Sequence, residues 1–594
     1  VNHLIEYVVI GCYLTFLIVI GSAFHRFNKN VSDYFRSGCR GTWWLVGASV
    51  FMGGITAYSF TGSAGVAFEA GWAVAIIYIG NSLGYFVNFL FMAGWFRQLR
   101  ATTSPEVIRM RFGPVTQQLY AFTGVILGIV GAAITLWAVA IFSASVFGYR
   151  IDVIIVILGC VGLTYSLMGG IWGVMATDFV QGLILMPMTI LITVLCLHQV
   201  GGVSGFFHMV QQKGLSHQFA VFHPYGEFKY GYYTVIWAAA MIFKQTLDQN
   251  TLGAANRYFS VKDGKEARKA ALIAVIMMLA GAIFWFIPPM TARMLYEKQT
   301  LSAHLNNPAE SAFAVAAMHV LPSGLIGLMA VAMFSATLST IDTGLNRNAA
   351  VAMKDIYPLI CRIFRRPLDS DRVQLMMSRL ITMFFGLCII SNALYFSRRS
   401  GMGMFDITLN LGAMLGLPLA TPLLLGLFIR KVPSWSAIFS IVCGFACSAV
   451  AYYSTNTWTY QQKVFLNVLA GSVSFLATMP FWRYAPLAYR EQVVAFFTRM
   501  HTPVDFEKEV GAANDTQQLK MIGGFSVAIA IFICLLLLIP NNLTGRLSIL
   551  FIGGVVMIVG LAMRWAARNR QLKEFAIIAE SQLINLSTNG IKSL

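Results

Sequence analysis

The chain has 594 residues, 57% of them hydrophobic and only 11% charged, with a mean hydropathy of +0.70. A soluble domain carries about 25% charged residues, so this composition would expose far too much apolar surface to water and reads instead as a polytopic membrane protein. Lys and Arg number 42 against 24 Asp and Glu, a formal +18; such an excess marks either a nucleic-acid surface or the basic inner loops of a membrane protein, and charge placement separates the two.

A membrane helix needs about 20 largely apolar residues. Such runs occur at 4–24, 43–66, 72–96, 119–147, 151–168, 174–200, 233–255, 270–295, 323–352, 376–396, 405–428, 434–455, 463–482, 521–540 and 547–567, which predicts about fifteen spans. They are too long for barrel strands and lack two-residue alternation. With the N-terminus outside, 32 of the 42 basic residues fall in inner loops and 9 in outer ones, leaving Lys244 within a span. An N-out, C-in, multi-pass protein of the plasma membrane (the inner membrane in a bacterium) follows, and a basic nucleic-acid arm does not. The first run has no Lys or Arg before it, the pattern of a retained anchor rather than a cleaved signal. Seven of the nine cysteines lie within apolar runs, which argues against a disulfide framework. In the longest loop, 483–520, Val493, Val494, Phe496 and Phe497 beside Arg490 and Arg499 suggest a short helix on the inner surface or an ordinary connector.

Polar interruptions within the spans carry the functional signal. Ser49 to Gly65 is rich in glycine and hydroxyl residues mid-span, a composition that suits close helix packing or local unwinding beside a cavity or ion. Thr177-Asp178 opens the sixth run, where Asp178 either caps the helix N-terminus or faces an ion path. Lys244, Gln245, Asp248, Gln249 and Asn250 crowd the second half of the seventh run, with Lys244 and Asp248 spaced i, i+4 as an internal pair. In the ninth, Ala336, Ser339, Thr340 and Thr343 share one helical face, and Asp342 is either a functional intramembrane carboxylate or an interfacial one if the helix ends early. No metal-protease, P-loop or nucleophile-elbow motif stands in a credible context, so the chain reads as a non-enzyme. Polar groups set in two regions many spans apart suit a transporter in which two repeats meet near the midplane.

Several stretches, in order, resemble the sodium/solute symporter family, the group of sodium–glucose, proline and sialic acid cotransporters. They are Asp33-Tyr34-Phe35 with Gly38 and Arg40, Gly62-Ser-Ala-Gly65 with Gly71, Thr103 to Gly113, Tyr165 to Gln181, and Ser339-Thr340 with Asn346 and Asp355-Ile-Tyr357. Thr502 to Phe506 is similar to the sodium–glucose branch. The resemblance implies an all-α LeuT-type fold, a five-plus-five inverted repeat with one extra N-terminal and four to five extra C-terminal helices. Its parts fall at 1–42 (extra helix and first inner loop), 43–200 (first repeat), 201–232 (outer loop), 233–428 (second repeat) and 429–594 (C-terminal helices). It implies Na+ as coupling ion and oxygen ligands at Met52, Ile55, Ala336, Ser339 and Thr340. Asp178, Asp342 and Thr343 match an exit path or a second cation site, where the Asp342 carboxylate in place of a hydroxyl leaves a stronger cation site and a proton-linked one both open. Substrate-facing positions fall on Thr56, Ser59, Lys244, Asp248 and Asn410; the sixth core helix departs from the family pattern, ending in Asn256-Arg257. The expected activity is sodium-coupled import of a small organic solute, a sugar or polyol. The alternatives are sodium- or proton-coupled uptake of a small carboxylate or amino acid, or a non-transporting sensor or channel.

Overall fold

The structure is a computed structural model that describes residues 4–24, 37–166, 171–252, 254–365, 371–398, 403–454, 458–511 and 513–591. It is all-helical. The N-terminal part runs through α1 (Leu4–Phe24), α2 (Trp43–Gly53), α3 (Gly62–Ala70), α4 (Ala75–Val87), α5 (Ser104–Phe112), α6 (Pro114–Phe147), α7 (Ile151–Ser166), α8 (Ile171–Gln199) and α9 (Gly202–Gln212). Then follow α10 (Val235–Gln249), α11 (Gly264–Phe284), α12 (Ile287–Leu295), α13 (Ala312–Val320), α14 (Leu325–Val351), α15 (Asp371–Arg398), α16 (Met404–Leu411) and α17 (Leu417–Phe428). The C-terminal part is α18 (Ser436–Tyr453), α19 (Tyr460–Ala477), α20 (Leu487–His501), α21 (Asp515–Leu535) and α22 (Leu543–Ile591). The matching stretches at Asp33 to Phe35 and Leu167 to Gly170 lie outside the described residues, as do the inner-loop charges Arg26, Lys29 and Arg36.

Each apolar run contains helix among the described residues, but the expected span count is not reached on length and composition. Among the described residues 11 helical stretches are long and apolar enough to cross a membrane, and Leu4–Phe16, Trp43–Gly53 and Ile151–Thr164 are shorter apolar helices. The seventh run, α10, belongs to neither group, because Lys244, Gln245, Asp248 and Gln249 occupy its second half. The eighth run is two helices, with a break at Trp285 and Phe286. The 483–520 loop is more ordered than a connector: α20 buries Tyr489, Val493, Phe496, Phe497 and Met500 against α5 and its neighbours and leaves Val494 exposed.

Local signals set many helix starts. Thr103 accepts from the Glu106 N–H while Glu106 accepts from the Thr102 N–H, Asp263 caps α11 through the Glu266 N–H, and Thr459 with Gln462 forms a full capping box on α19. Each satisfies donors that a helix end leaves open.

Tertiary packing places α2 between two groups of helices. On one side lie α8 and α14, and α14 in turn rests on α1, α6, α7 and α15. On the other lies α11, which packs on α4, which packs on α10. The approach of α4 to α10 depends on glycine: a Cβ at Gly84 would sit 2.6 Å from Gln249 Cβ, and one at Gly80 would sit 3.0 Å from the Ile242 backbone. Small residues allow such approach where lipid supplies no hydrophobic drive between helices. Gly84→Leu is therefore expected to force α4 and α10 apart at a cost of about 1–3 kcal/mol, read as a lowered melting temperature of the detergent-purified protein.

Candidate functional site

Between Gly53 and Gly62 the helical path stops and restarts. Thr56 is extended (φ −135°, ψ 178°), and its hydroxyl accepts from the Tyr58 N–H at 3.3 Å to start a short 3-10 turn, Ala57–Phe60. The Ile55 and Gly54 N–H groups turn back to the Met52 and Phe51 carbonyls. At the same level the Ala57 N–H donates to Thr337 Oγ1 on α14 at 3.3 Å, so α14 supplies the partner that the interrupted helix no longer gives itself. Glycine and hydroxyl composition thus marks a real break here, and not small-residue packing alone.

Asp178 is neither capping nor exposed. It lies two turns inside α8, 1% exposed, and its carboxylate accepts from Ser49 on α2 at 2.5 Å and from Ser339 on α14. Arg257 Nη2 stands 3.5 Å from the same carboxylate. One side chain therefore joins α2, α8, α14 and the 3-10 segment Ala254–Ser260. The capping expectation fails because α8 is already helical from Ile171, seven residues earlier than Asp178.

Of the proposed oxygen ligands, Ser339 is part of this node, and the others lie on or just after α2 and on α14, the helices it joins. Met52 and Ile55 flank the end of α2 and are buried; on α14, Ala336 and Ser339 are buried and the Thr340 hydroxyl donates to the Ala336 carbonyl at 3.3 Å. Asp342 lies one turn further on and is wholly buried, because α14 continues to Val351. The early-ending helix that would have made Asp342 interfacial is therefore overturned. The Thr343 side chain lies outside what the structure describes.

The second interruption falls after α10. Thr234 caps its start through the Trp237 N–H, and helix ends at Gln249, whose backbone carbonyl accepts from Asn88 at 2.8 Å. Lys244 and Asp248 do pair, at 2.8 Å, with Gln245 Oε1 as a second acceptor 3.0 Å from the ammonium. The Lys244 head lies against Gly412, at the wide turn Gly412–Gly416 between α16 and α17. Asn410, two residues before Gly412 in α16, accepts from Lys463 at 3.0 Å. Lys463, the first residue of the 463–482 run, lies in the first turn of α19, half-buried, so Lys244 is not alone among helical cations here. The expected substrate positions form two sets: Thr56 and Ser59 at the α2–α3 break, and Lys244, Asp248 and Asn410 around α10 and α16.

Sequence reasoning missed Glu310 and Glu69. Glu310, in the turn Pro308–Ser311, accepts from the Met404 N–H at 2.5 Å at the start of α16, and its backbone abuts Gly65 of α3. Asn307 donates to Glu69 on α3 at 3.1 Å. Nothing in the local sequence signals this, since Asn307 and Glu69 lie 238 positions apart and Glu310 and Met404 94, and they meet only in the folded chain.

Residues 34–444 match the model of the sodium:solute symporter family. The chain belongs to that family. It is a multi-pass membrane transport protein with sodium as coupling ion. Among its relatives, the sodium/sialic acid symporter NanT of Aliivibrio fischeri is 27% identical over 452 residues, 74% of this chain and 86% of that one. The sodium/sialic acid symporter SiaT of Proteus mirabilis is 24% identical over 76% of this chain and 90% of its own length. The rat sodium/glucose cotransporter 2 is 24% identical over 74% and 70%. The fold is similar to a substrate-bound, outward-open Na+-coupled sialic acid symporter, with TM-score 0.66 and 23% identity over 80% of this chain and 98% of that one. It is also similar to Mhp1, a nucleobase-cation-symport-1 family transporter, with TM-score 0.53 and 14% identity over 79% and 99%.

Burial pushes the Glu310 carboxyl up to about 8, against the opposing Met404 N–H and helped by the Glu69 carboxylate. A carboxyl raised in the folded state binds its proton more tightly than in the unfolded chain, so its contribution to stability falls as pH rises from about 5 to about 8. Glu310→Gln is expected to flatten that fall in a melting-temperature series over this window, with the parent and variant closest at the acid end.

Proposed function

We propose that the protein is a sodium-coupled symporter that imports a small organic solute by alternating access, with its N-terminus outside and its C-terminus inside. In this reading the two interrupted helices, α2–α3 and α10 with the segment after it, occupy equivalent positions in a five-plus-five inverted repeat spanning 43–200 and 233–428. Sodium binds the Met52 and Ile55 carbonyls, the Ala336 carbonyl and the Ser339 and Thr340 hydroxyls.

The observation that carries this is the direction of the two hydroxyl protons. Ser339 gives its proton to Asp178 and Thr340 gives its own to the Ala336 carbonyl, so each keeps lone pairs to offer a cation. Hard oxygen donors without a required side-chain charge suit an ion that must later leave. Asp178 orients Ser339 and, with Arg257, marks the inner exit; Asp342 supports a second cation or a proton. Sodium that ties α2 to α14 favours the arrangement that binds solute, and solute must favour sodium by the same factor. Ser339→Ala and Thr340→Ala are expected to raise the sodium concentration for half-maximal uptake about tenfold, a loss of about 1.4 kcal/mol; Thr340→Ala leaves the melting temperature near the parent's, whereas Ser339→Ala also lowers it, because Asp178 loses a donor. Unchanged sodium activation in both variants defeats the assignment.

For the solute, Thr56, Ser59, Asn410 and Gln245 offer hydroxyl and amide groups suited to a sugar or polyol. A second reading is favoured by Lys244 and Lys463, which flank Asn410 and Gly412 and would pair with a sugar acid or another small carboxylate. Competition of neutral and acidic sugars for uptake into sodium-driven proteoliposomes separates the two. Under the second reading Lys244→Gln abolishes competition by acidic sugars and spares that by neutral ones.

A further inference from the structure

Residues 213–234 run from the end of α9 to the start of α10 as a strap over one end of the bundle, the outer end in the proposed orientation. The strap is seated on both interrupted helices. Gln218 donates to the Glu69 carbonyl on α3 at 2.8 Å, and the Trp72 N–H reaches the Phe219 carbonyl at 3.5 Å. Gly71, at φ +55°, permits this seat, because a Cβ there would stand 2.3 Å from the Phe219 backbone. At its other end the strap runs directly into Thr234, the cap of α10.

In this strap Glu227 lies between two imidazoles. Its Oε1 is 3.3 Å from His217 Nδ1 and its Oε2 is 3.2 Å from His223 Nδ1, and the ligating atoms of all three lie within 4.8 Å of one another. We propose that His217, His223 and Glu227 bind zinc, and that the bound ion locks the strap over the outer ends of α3 and α10.

The donor set decides the class of ion. Two imidazoles and one carboxylate suit a borderline divalent cation such as zinc, whereas calcium and magnesium require a shell of oxygens. In a tetrahedron with bonds of about 2.0–2.1 Å the ligand atoms are about 3.3 Å apart. The carboxylate turns one oxygen to each imidazole, Oε1 at 3.3 Å from His217 and Oε2 at 3.2 Å from His223, so one Glu–His edge already has that length, and the remaining edges close by rotation of His217, which is exposed. His223 is the fixed member: its side chain is fully buried, its ring meets Phe228 edge-on at 4.8 Å, and its N–H donates to the Tyr233 carbonyl at 2.9 Å. Gly226, at φ +94°, makes the turn that brings Glu227 back to it. The exposed side of His217 leaves a fourth position for water. A cation held there links the residues seated on α3 to those that start α10, one segment from each of the two interrupted helices.

The test is calorimetric titration of the purified full-length chain with zinc chloride, followed by uptake. One zinc is expected to bind per chain, with His217→Ala and Glu227→Gln each weakening affinity at least about tenfold. Both of those side chains are partly exposed, so these variants avoid the packing loss that His223→Ala would bring. Zinc added outside is expected to slow sodium-driven uptake by the parent, with recovery on adding chelator and no effect on His217→Ala. No binding by the parent, or equal binding by the parent and both variants, overturns the site; binding without slowed uptake overturns the locking role. The locking role rests on the transport reading, but the titration needs no solute, so failure of the site and failure of that reading are told apart.

Discussion

The buried carboxylate of Asp178 is the constraint around which the core is arranged. A charge in a membrane interior is costly unless it is paired and fully hydrogen-bonded. Here the partners come from three other segments, Ser49 from α2, Ser339 from α14 and Arg257 from beyond the break after α10. Satisfying one side chain therefore fixes the mutual position of the elements that carry the proposed sodium-site oxygens. It also makes the arrangement sensitive to whatever competes for Ser339 or Arg257.

The two interrupted helices follow from the same accounting. Unwound backbone within a membrane must find partners in protein. At the first break Thr56 and Thr337 accept the freed N–H groups, and beyond the second, Asn88 and Asn250 use their amides to close carbonyls of α4 and α10. Hydroxyl and amide side chains near the breaks thus have a structural task of their own. This is why composition alone left both readings open for Ser49 to Gly65.

At the other end of the bundle a basic residue has a different task. Arg111 is buried and donates to the Gly426 and Ile429 carbonyls and to the Tyr489 hydroxyl, joining α5, the end of α17 and α20. Arg100 pairs with Glu509 at 2.7 Å and reaches the Pro503 carbonyl. The Thr103 to Gly113 stretch that resembles the family loop is therefore a docking surface for the segment after α19, which explains why 483–520 is helical and packed.

The sequence by itself determined the membrane class, the helical runs, the family and the residues of the Ser339-Thr340 face, because hydropathy and short-range spacing report directly on helix and lipid exposure. It also marked Ser49 to Gly65 as unusual, since glycine and hydroxyl composition is local, but left packing and unwinding both open there. Only the tertiary structure decided that Asp178 is a node and not a cap, that Lys463 meets Asn410, that Glu310 closes onto Met404, and that two histidines share Glu227. For the first three the reason is sequence distance: their partners are 53 to 161 positions away, and no periodicity links them. For the histidines it is the irregular path of a loop, where the turn at Gly226 sets the geometry and spacing carries no signal.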